Sequence, residues 1–304
     1  MCHTGSAAAL PTPHSNPLAY RNGMSTLYIV STPIGNLDDV TQRALTVLRT
    51  VDRVLAEDTR HTAILLNRYE IRVPLVSLHE HNEAARGQEV LDWLAAGERL
   101  ALVTDAGTPL ISDPGERLVR AVLGAGFEVV PVPGASAVLA ALVGSGLSAC
   151  PFTFFGFPPR SGKARAALVR RLLEVDHTTV LYESPQRLER LLVDLVAAGA
   201  GERAVVVARE LTKVHEEFRR GTVRELAAYY GENPLVRGEV VVLLEGAVSV
   251  PAEPGAAGAL ALALLDEGLS PSDAARELAR RLQLRRNQAY QVVQSVGERE
   301  KKAK

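Results

Sequence analysis

The sequence contains very little cysteine, few aromatic residues and no long apolar run. Its 304 residues include two cysteines, one tryptophan and 5% aromatic side chains. Cys2 and Cys150 cannot build a disulfide framework, which favours a reducing, cytoplasmic location. The apolar surroundings of Cys150 predict a packed thiol and not a catalytic one. No apolar run approaches the roughly 20 residues of a membrane helix, so we expect no membrane association.

The chain also lacks an excess of charge of one sign. It has 34 basic and 35 acidic side chains, for a net charge of -1. A protein that binds nucleic acid through its overall positive charge is therefore excluded, and any basic surface must be local. Residues 269–304 hold nine Lys or Arg against four Asp or Glu. This segment is compatible with a solvated helical surface and equally with an RNA-contacting module.

Alternating strand and helix patterns predict an α/β protein of two α/β domains with a small helical C-terminal module. Apolar runs predict strands at 27–30, 53–56, 100–103 and 128–132, and then at 178–182, 204–209 and 238–244. Helices are predicted at 38–50, 133–146 and 186–198, and three more lie at 259–266, 272–282 and 287–297. The alternation in the first domain predicts a mostly parallel sheet covered on both faces.

The predicted domain boundaries follow changes in composition. Residues 1–24 are expected to be a disordered extension, 25–150 the first α/β domain, 151–247 the second, 248–258 a linker and 259–304 the basic helical module. The helical module has a clear helix start at 270–273, where Ser-Pro-Ser-Asp combines a capping side chain with proline in the first turn.

Two nucleotide-binding motifs are nearly matched and are rejected. Residues 144–149 fit G-x-G-x-x-A but end a predicted helix instead of following a strand. Residues 156–163 resemble a P-loop, yet their glycines are one residue too far apart and Ala164 stands where Ser or Thr would bind magnesium. An ATPase is therefore disfavoured. The pair His79 and His81 is a weak metal signal without further ligands, and we expect no metal.

Three polar loops follow predicted strands of the first domain. They span residues 31–36, 104–115 and 133–137, and the second of them holds two Gly, two Pro and two Asp. The carboxyl ends of parallel strands meet at one sheet edge, where ligands bind. The loops contain small residues and no Lys or Arg. They therefore favour an adenosine-like or zwitterionic ligand over a triphosphate.

Eight segments in order carry a family resemblance. They are residues 27–37 (LYIVSTPIGNL), 56–60 (AEDTR), 78–83 (LHEHNE), 104–115 (TDAGTPLISDPG), 133–136 (PGAS), 155–158 (FGFP), 182–185 (YESP) and 209–213 (RELTK). Together they resemble the tetrapyrrole-methylase-like class of S-adenosylmethionine-dependent methyltransferases. Within it they are similar to the enzymes that methylate a cytidine 2′-oxygen of 16S ribosomal RNA, in the decoding centre of the small ribosomal subunit. The resemblance covers about residues 25–246.

The resemblance implies a homodimer, with the cofactor S-adenosylmethionine held in a cleft between two α/β domains. The implied cofactor contacts are Pro33, Gly35, Asp105, Ala106, Gly107, Thr108, Ile111, Ser112, Ser136, Ala137 and Phe157. Asp113 is expected to order its loop or to bind the donor. The implied partner is 16S ribosomal RNA in the small ribosomal subunit.

The matched segments also supply candidate catalytic groups. They are Glu183, Lys213, Glu210, Arg60 and His81, together with Glu57, Asp58 and Arg209. Our hypothesis is that Glu183 or Lys213 aids deprotonation of the ribose hydroxyl, while Arg60 and Arg209 hold phosphate. Basic residues at 160–165 and 170–171 are candidates for RNA contact.

Two alternatives remain open at this stage. The first is a tetrapyrrole or precorrin methylase of the same fold, which would need room for a macrocycle. The second is a non-catalytic RNA-binding protein, which would bind no S-adenosylmethionine.

Overall fold

The computed structural model describes residues 25–79, 81–233, 237–247, 256–282, 284 and 286–303. The predicted disordered extension and most of the predicted linker lie outside these residues. The described chain forms two compact units. Unit 1 contains the residues up to Pro33 and Leu37–Ala135, and unit 2 contains Ile34–Asn36 and the residues from Ser136 onward.

Unit 1 is built from nine alternating strands and helices. They are β1 (Thr26–Val30), α1 (Gln42–Thr50), β2 (Arg53–Ala56), α2 (Thr59–Arg68), β3 (Leu75–Ser77), α3 (Glu83–Ala95), β4 (Leu100–Val103), α4 (Glu116–Gly124) and β5 (Glu128–Val132), with a short 3₁₀ turn at Leu37–Asp39. The predicted helix at 38–50 begins later, at Gln42. Thr41 caps it by accepting a hydrogen bond from the Ala44 N–H at 3.1 Å.

The sheet of unit 1 has the order β3-β2-β4-β1-β5, and all of its strand pairs are parallel. Successive residues of β4 alternate between two cores: Leu100 and Leu102 pack on one face, Ala101 and Val103 on the other. Burial on both faces explains the uninterrupted apolar run of this strand. The predicted parallel sheet is thus confirmed for unit 1.

Unit 2 begins with a helix and contains a second five-stranded sheet. Its elements are α5 (Ala137–Ser145), β6 (Phe152–Phe154), α6 (Gly162–Glu174), β7 (Thr178–Glu183), α7 (Pro185–Leu195), a π-helical turn at Val196–Ala200, β8 (Ala204–Arg209), β9 (Glu217–Thr222), α8 (Val223–Glu232), β10 (Val240–Leu244), α9 (Ala256–Asp266), α10 (Pro271–Leu282) and α11 (Arg286–Ala303). The α/β class predicted from the sequence is confirmed.

The second sheet has the order β6-β7-β10-β8-β9 and is mostly antiparallel. Only β6 and β7 pair in parallel, and β10 is antiparallel to both of its neighbours. All five residues of β10 are buried, as expected for the predicted central strand. Helix α5 packs against this sheet, so contacts divide the chain at Ala135–Ser136, whereas the sequence placed the boundary near Pro151.

Of two expectations about burial near that boundary, one holds in part and one is wrong. The prediction of a buried helix holds for one face of α5, where Val138, Ala141 and Leu142 are buried, but Leu139 and Val143, one turn apart, are exposed. The thiol of Cys150 was predicted to be packed, but it is exposed and unpaired among the described residues. Both predictions rested on local apolar composition. Composition does not show which face of a segment packs against the sheet, so it overestimates burial.

The helices α9, α10 and α11 pack around a core of their own. Ala261, Leu264, Leu278 and Val293 are buried in it. The predicted helix start at residue 270 is confirmed, since the Ser270 hydroxyl accepts a hydrogen bond from the Asp273 N–H at 3.2 Å. Among the described residues, no helix has both the length and the apolar character to cross a membrane.

Two glycines give matched stability predictions. A Cβ at Gly246 would lie 2.4 Å from the backbone carbonyl carbon and oxygen of Asp176, whereas a Cβ at Gly87, inside α3, would meet nothing within 4 Å. We expect Gly246→Ala to destabilise the fold by about 1–3 kcal/mol, because backbone must move. Gly87→Ala should stabilise it by about 0.5–1 kcal/mol through helix propensity. Urea unfolding measures both, and equal effects would contradict the packing argument.

Candidate active site

The three predicted loops meet at the carboxyl edge of the first sheet, where β4, β1 and β5 are neighbours. Thr32 and Gly107 exchange two backbone hydrogen bonds of 2.8 and 3.1 Å. The Ser31 and Thr108 hydroxyls lie 3.1 Å apart, and Thr108 also donates to the Ala135 carbonyl at 3.3 Å. The predicted convergence of these loops within unit 1 is confirmed.

The loop at 104–115 is held in an unusual backbone conformation. Positive φ angles occur at Gly107 (85°), Leu110 (73°), Ser112 (69°) and Gly115 (123°). Two of these residues carry side chains that disfavour this region, and such strain persists only where the surroundings enforce it. Ile111 lies between the strained residues and is exposed. The loop is therefore a rigid surface of the kind that binds a ligand.

Three carboxyl groups gather around this loop. Glu57 follows β2 and accepts a hydrogen bond from the Thr104 hydroxyl at 3.2 Å, while Asp105 accepts one from the Asp58 N–H at 3.1 Å. Burial raises the pKa of Glu57, and the charge of Asp105 raises it further. Burial also raises the pKa of Asp113 to about 6, with added repulsion from Glu57 and Asp105. The sequence pointed to these three residues one by one, but it did not predict that their carboxyl groups lie close enough to raise one another's pKa.

The raised pKa of Asp113 predicts a pH-dependent stability. The ordinary value is 3.8 and the folded value about 6. The contribution of Asp113 to the free energy of unfolding is therefore most favourable below pH 3.8, where the carboxyl is protonated in both states. It is lost as the pH rises through 6, because the carboxyl then ionises in the folded protein. We expect Asp113→Asn to stabilise the protein at pH 7, on the order of 1 kcal/mol once solvent screening is allowed for. The difference should vanish near pH 4. Urea unfolding from pH 4 to 8 measures it, with exposed Asp39→Asn as control. A pH-independent difference would contradict the assignment.

The remaining predicted cofactor contacts lie in both units. Pro33 is buried in unit 1, and Ala106 is partly buried in the loop. Ser136 caps α5, followed by Ala137. Gly35 belongs to unit 2, where a Cβ would lie 2.5 Å from Lys213 Cγ and 2.9 Å from the Leu211 carbonyl oxygen. Glycine is thus needed at position 35 for close packing against the segment that carries Lys213.

Lys213 is held between two carboxylates of unit 2. Its Nζ lies 2.8 Å from Glu210 Oε1 and 3.2 Å from Glu239 Oε2. Burial alone would lower the pKa of Lys213, but these carboxylates outweigh burial and raise it. The hydrogen bond from Lys213 lowers the pKa of Glu210. Lys213 is therefore a cation at neutral pH and can aid deprotonation of a hydroxyl only through its charge.

The backbone around Lys213 is also constrained. Glu210 and Thr212 have positive φ angles of 52° and 65°. The Glu210 N–H donates to the Glu239 carbonyl and the Glu239 N–H donates to Glu210 Oε1, both at 3.0 Å. Glu239 was not among the predicted residues. No local signal pointed to it, because it reaches Lys213 through the pairing of β8 with β10.

Glu183 is fully buried at the end of β7 and is engaged by arginine. Its Oε1 lies 2.6 Å from Arg187 Nη2, and its Oε2 lies 3.8 Å from Arg165 Nη1. Arg165 is only 4% exposed and also pairs with Asp194 at 2.6 Å. The prediction that Arg165 contacts RNA is wrong, since its guanidinium is buried inside unit 2. Arg187 could have been anticipated from its position four residues after Glu183, in the first turn of α7.

Of the other predicted polar residues, Arg60 and His81 are exposed and Arg209 is partly buried. Arg60 is exposed and pairs with Asp58, which caps α2, at 2.7 Å. Arg209 pairs with Glu217 at 3.3 Å. His81 is exposed, and its ring centroid lies 6.0 Å from that of His79. Both histidines follow the end of β3 and do not alternate along it. Within the part of the chain that the structure describes, no group of three or more His, Cys, Asp or Glu side chains could hold a metal.

Phe157 presents an aromatic ring on unit 2. It follows β6, it is 54% exposed, and its ring centroid lies 5.3 Å from that of Tyr182. An exposed ring that packs against a second ring offers a flat apolar surface, which suits a planar heterocycle.

The family described as Tetrapyrrole (Corrin/Porphyrin) Methylases matches residues 26–227. The chain belongs to this family and is a methyltransferase. It is 46% identical over 273 residues to the Ribosomal RNA small subunit methyltransferase I of Synechocystis sp., which covers 88% of this chain and 97% of that protein. The Bacillus subtilis protein of the same name is 45% identical over 226 residues, covering 74% and 77%.

A solved structure shares the fold. The uroporphyrin-III C-methyltransferase of Thermus thermophilus, in complex with S-adenosyl homocysteine, superposes with a TM-score of 0.53 at 18% identity. The match covers 73% of this chain and 97% of that one. The two sheets with their helices thus form the tetrapyrrole methylase fold.

Proposed function

We propose that this protein transfers a methyl group from S-adenosylmethionine to the 2′-oxygen of a cytidine ribose in 16S ribosomal RNA. The observation that supports S-adenosylmethionine as the donor is the set of hydrogen-bonded loops in unit 1. The relatives named as ribosomal RNA small subunit methyltransferases, at 45–46% identity, support the choice of RNA as substrate. The macrocycle enzyme with a similar fold is only 18% identical, so it supports the fold without supporting its substrate for this chain.

The residues of unit 1 suit this donor in polarity and charge. Ile111 offers exposed apolar surface, and Pro133 and Gly134 are exposed in the neighbouring loop. Glu57, Asp105 and Asp113 create a negative potential that favours the sulfonium and ammonium groups of the donor and opposes a phosphate. S-adenosylmethionine, when bound, supplies a methyl group already activated on sulfur, so the protein mainly positions the reactants.

Lys213 provides the charge that the acceptor hydroxyl needs. A ribose hydroxyl is a weak nucleophile, and it attacks more readily as its proton leaves. Glu210 and Glu239 keep Lys213 protonated and restrict where its Nζ can lie. A fixed cation stabilises negative charge that develops on the ribose oxygen, and the departing proton passes to solvent. Glu210 and Glu239 are positioning residues in this scheme.

RNA contact is assigned to exposed basic side chains of unit 2. Arg160, Lys163 and Arg170 are exposed at the start and along the surface of α6. Arg171 lies with its guanidinium 5.0 Å from the Phe155 ring centroid. Such side chains bind phosphate without reading the base. The basic helices at the C-terminus extend this proposal, because clustered arginine supplies phosphate contacts.

The proposal includes a homodimer in the cytoplasm. Leu139 and Val143 are exposed on the same face of α5, and a second copy of the chain would cover them. An exposed Cys150 that has no disulfide partner among the described residues is typical of a reducing compartment. Light scattering at micromolar concentration should give twice the chain mass.

The reaction is tested with small ribosomal subunits that lack the modification, incubated with the full chain and a donor labelled on its methyl group. We expect one labelled nucleotide. The labelled site should resist alkaline cleavage, because a 2′-O-methyl group removes the hydroxyl that attacks the neighbouring phosphodiester. Label at a site that alkali still cleaves would place the methyl on a base and overturn the 2′-O assignment. Transfer to a uroporphyrinogen macrocycle alone would favour the alternative methylase.

A further inference from the structure

The loop that carries Phe157 has few backbone N–H groups that could hold it in place. Phe157 is followed by Pro158 and Pro159, and neither proline has an N–H to donate. Such a segment can be fixed through its backbone only by donors that reach its carbonyl oxygens.

Two arginines of unit 2 hold this loop by donating hydrogen bonds to its carbonyl oxygens. Arg187 Nη1 donates to the Pro158 carbonyl at 3.3 Å, and Arg165 Nη1 donates to the Pro159 carbonyl at 3.2 Å. On the other side of Phe157, the Tyr182 N–H donates to the Gly156 carbonyl at 3.0 Å. The carbonyls of three residues around Phe157 are thus held, while its side chain remains exposed.

Two carboxylates, the buried Glu183 and the partly exposed Asp194, hold the two arginines in turn. Glu183 binds Arg187 at 2.6 Å and faces Arg165 at 3.8 Å, and Asp194 binds Arg165 at 2.6 Å. The Ser184 hydroxyl accepts a further hydrogen bond from Arg187 Nε at 3.0 Å. Arginine suits this role because its planar fork can bond a carboxylate and a carbonyl at once.

We propose that Glu183, Arg165 and Arg187 form a positioning clamp that fixes the Phe157 ring for stacking on the adenine of S-adenosylmethionine. The inference rests on the proposed function for the identity of the donor. It assigns to Glu183 a role through Phe157 and not through proton transfer. Because the clamp residues act through Phe157, their loss weakens donor binding and leaves the chemical step little changed.

The test is a double-mutant cycle in the full chain with Arg187→Lys, Phe157→Ala and the combined variant. Donor affinity is measured by calorimetry without RNA, and backbone hydrogen exchange is followed across residues 155–161. Lysine keeps the charge but cannot bridge Glu183 and the Pro158 carbonyl. We expect Arg187→Lys to raise exchange in that segment and to weaken donor binding about tenfold, as for the loss of one charge-assisted hydrogen bond.

The combined variant should bind the donor no more weakly than Phe157→Ala, because both changes remove the same contact. The control is Arg190→Lys, on an exposed residue of the same helix, which should change neither measurement. Multiplicative losses in the combined variant, or unchanged exchange at 155–161, would overturn the clamp. A wild-type chain that binds the donor but does not methylate ribosomal RNA would instead contradict the proposed function and leave the clamp testable.

Discussion

Replacing Lys213 with methionine is expected to lower kcat for RNA methylation by about 100- to 1,000-fold, the usual cost of removing one preorganised stabilising group. Methionine keeps most of the unbranched stem, so the packing of Gly35 against the stem at position 213 is preserved. It removes the cation and leaves Glu210 and Glu239 without the charge that both contact. Their combined negative charge would oppose deprotonation of the acceptor hydroxyl.

The measurement is single-turnover methyl transfer to small ribosomal subunits under saturating donor. Lys213→Arg is the companion variant, since it restores a cation and should recover part of the lost rate. Donor affinity measured by calorimetry should stay within a few-fold of wild type in both variants. A methionine variant that retained kcat within a few-fold of wild type would remove Lys213 from the chemistry.

Much of unit 1 could be predicted from sequence because its strands are short apolar runs that end in loops rich in Gly, Pro and Asp. The run Leu100–Val103 is buried on both faces, and this is the pattern of a parallel strand. The β9 strand at Glu217–Thr222 escaped prediction because it is a polar edge strand, half-buried and rich in charge. Its pairing with β8 depends on the tertiary fold.

The direction of the strands in unit 2 could not be predicted for a related reason. β8 and β10 are as apolar as parallel strands, yet they pair antiparallel. The direction is set by the path of the connecting chain, which hydrophobic patterning does not record.

The candidate site was predictable where function is local and unpredictable where it depends on distant partners. The 104–115 loop could be recognised from its composition. Arg165, in contrast, has the sequence context of an exposed basic residue. Its burial depends on Asp194, 29 positions away, and on a proline carbonyl. Likewise Glu239 meets Lys213 only because two strands pair. Charge patterning alone cannot separate a surface cation from one held by a remote carboxylate.

Replacing Glu183 with alanine is expected to lower the free energy of unfolding by about 3–5 kcal/mol, because it removes the buried carboxylate that binds Arg187 and leaves Arg165 with Asp194 alone. Arg165 is 4% exposed and Arg187 lies partly buried beside it. The matched control is Glu202→Ala. Glu202 pairs with Arg224 at 2.9 Å, but both side chains are largely exposed, so its loss should cost about 0–1 kcal/mol. Urea unfolding of both variants makes the comparison, and equal losses would show that the buried network carries no special stability.

The isosteric variant Glu183→Gln separates the two roles considered for this residue. A proton acceptor at position 183 would make kcat collapse in the glutamine variant and would flatten the rise of kcat with pH, with donor affinity unchanged. The contacts favour the opposite outcome, since Glu183 Oε1 is already bound by Arg187 and by the Ser184 N–H. We expect weaker donor binding, a pH profile of unchanged shape and a kcat within a few-fold of wild type. A flattened pH profile at wild-type donor affinity would return the catalytic role to Glu183 and remove it from the clamp.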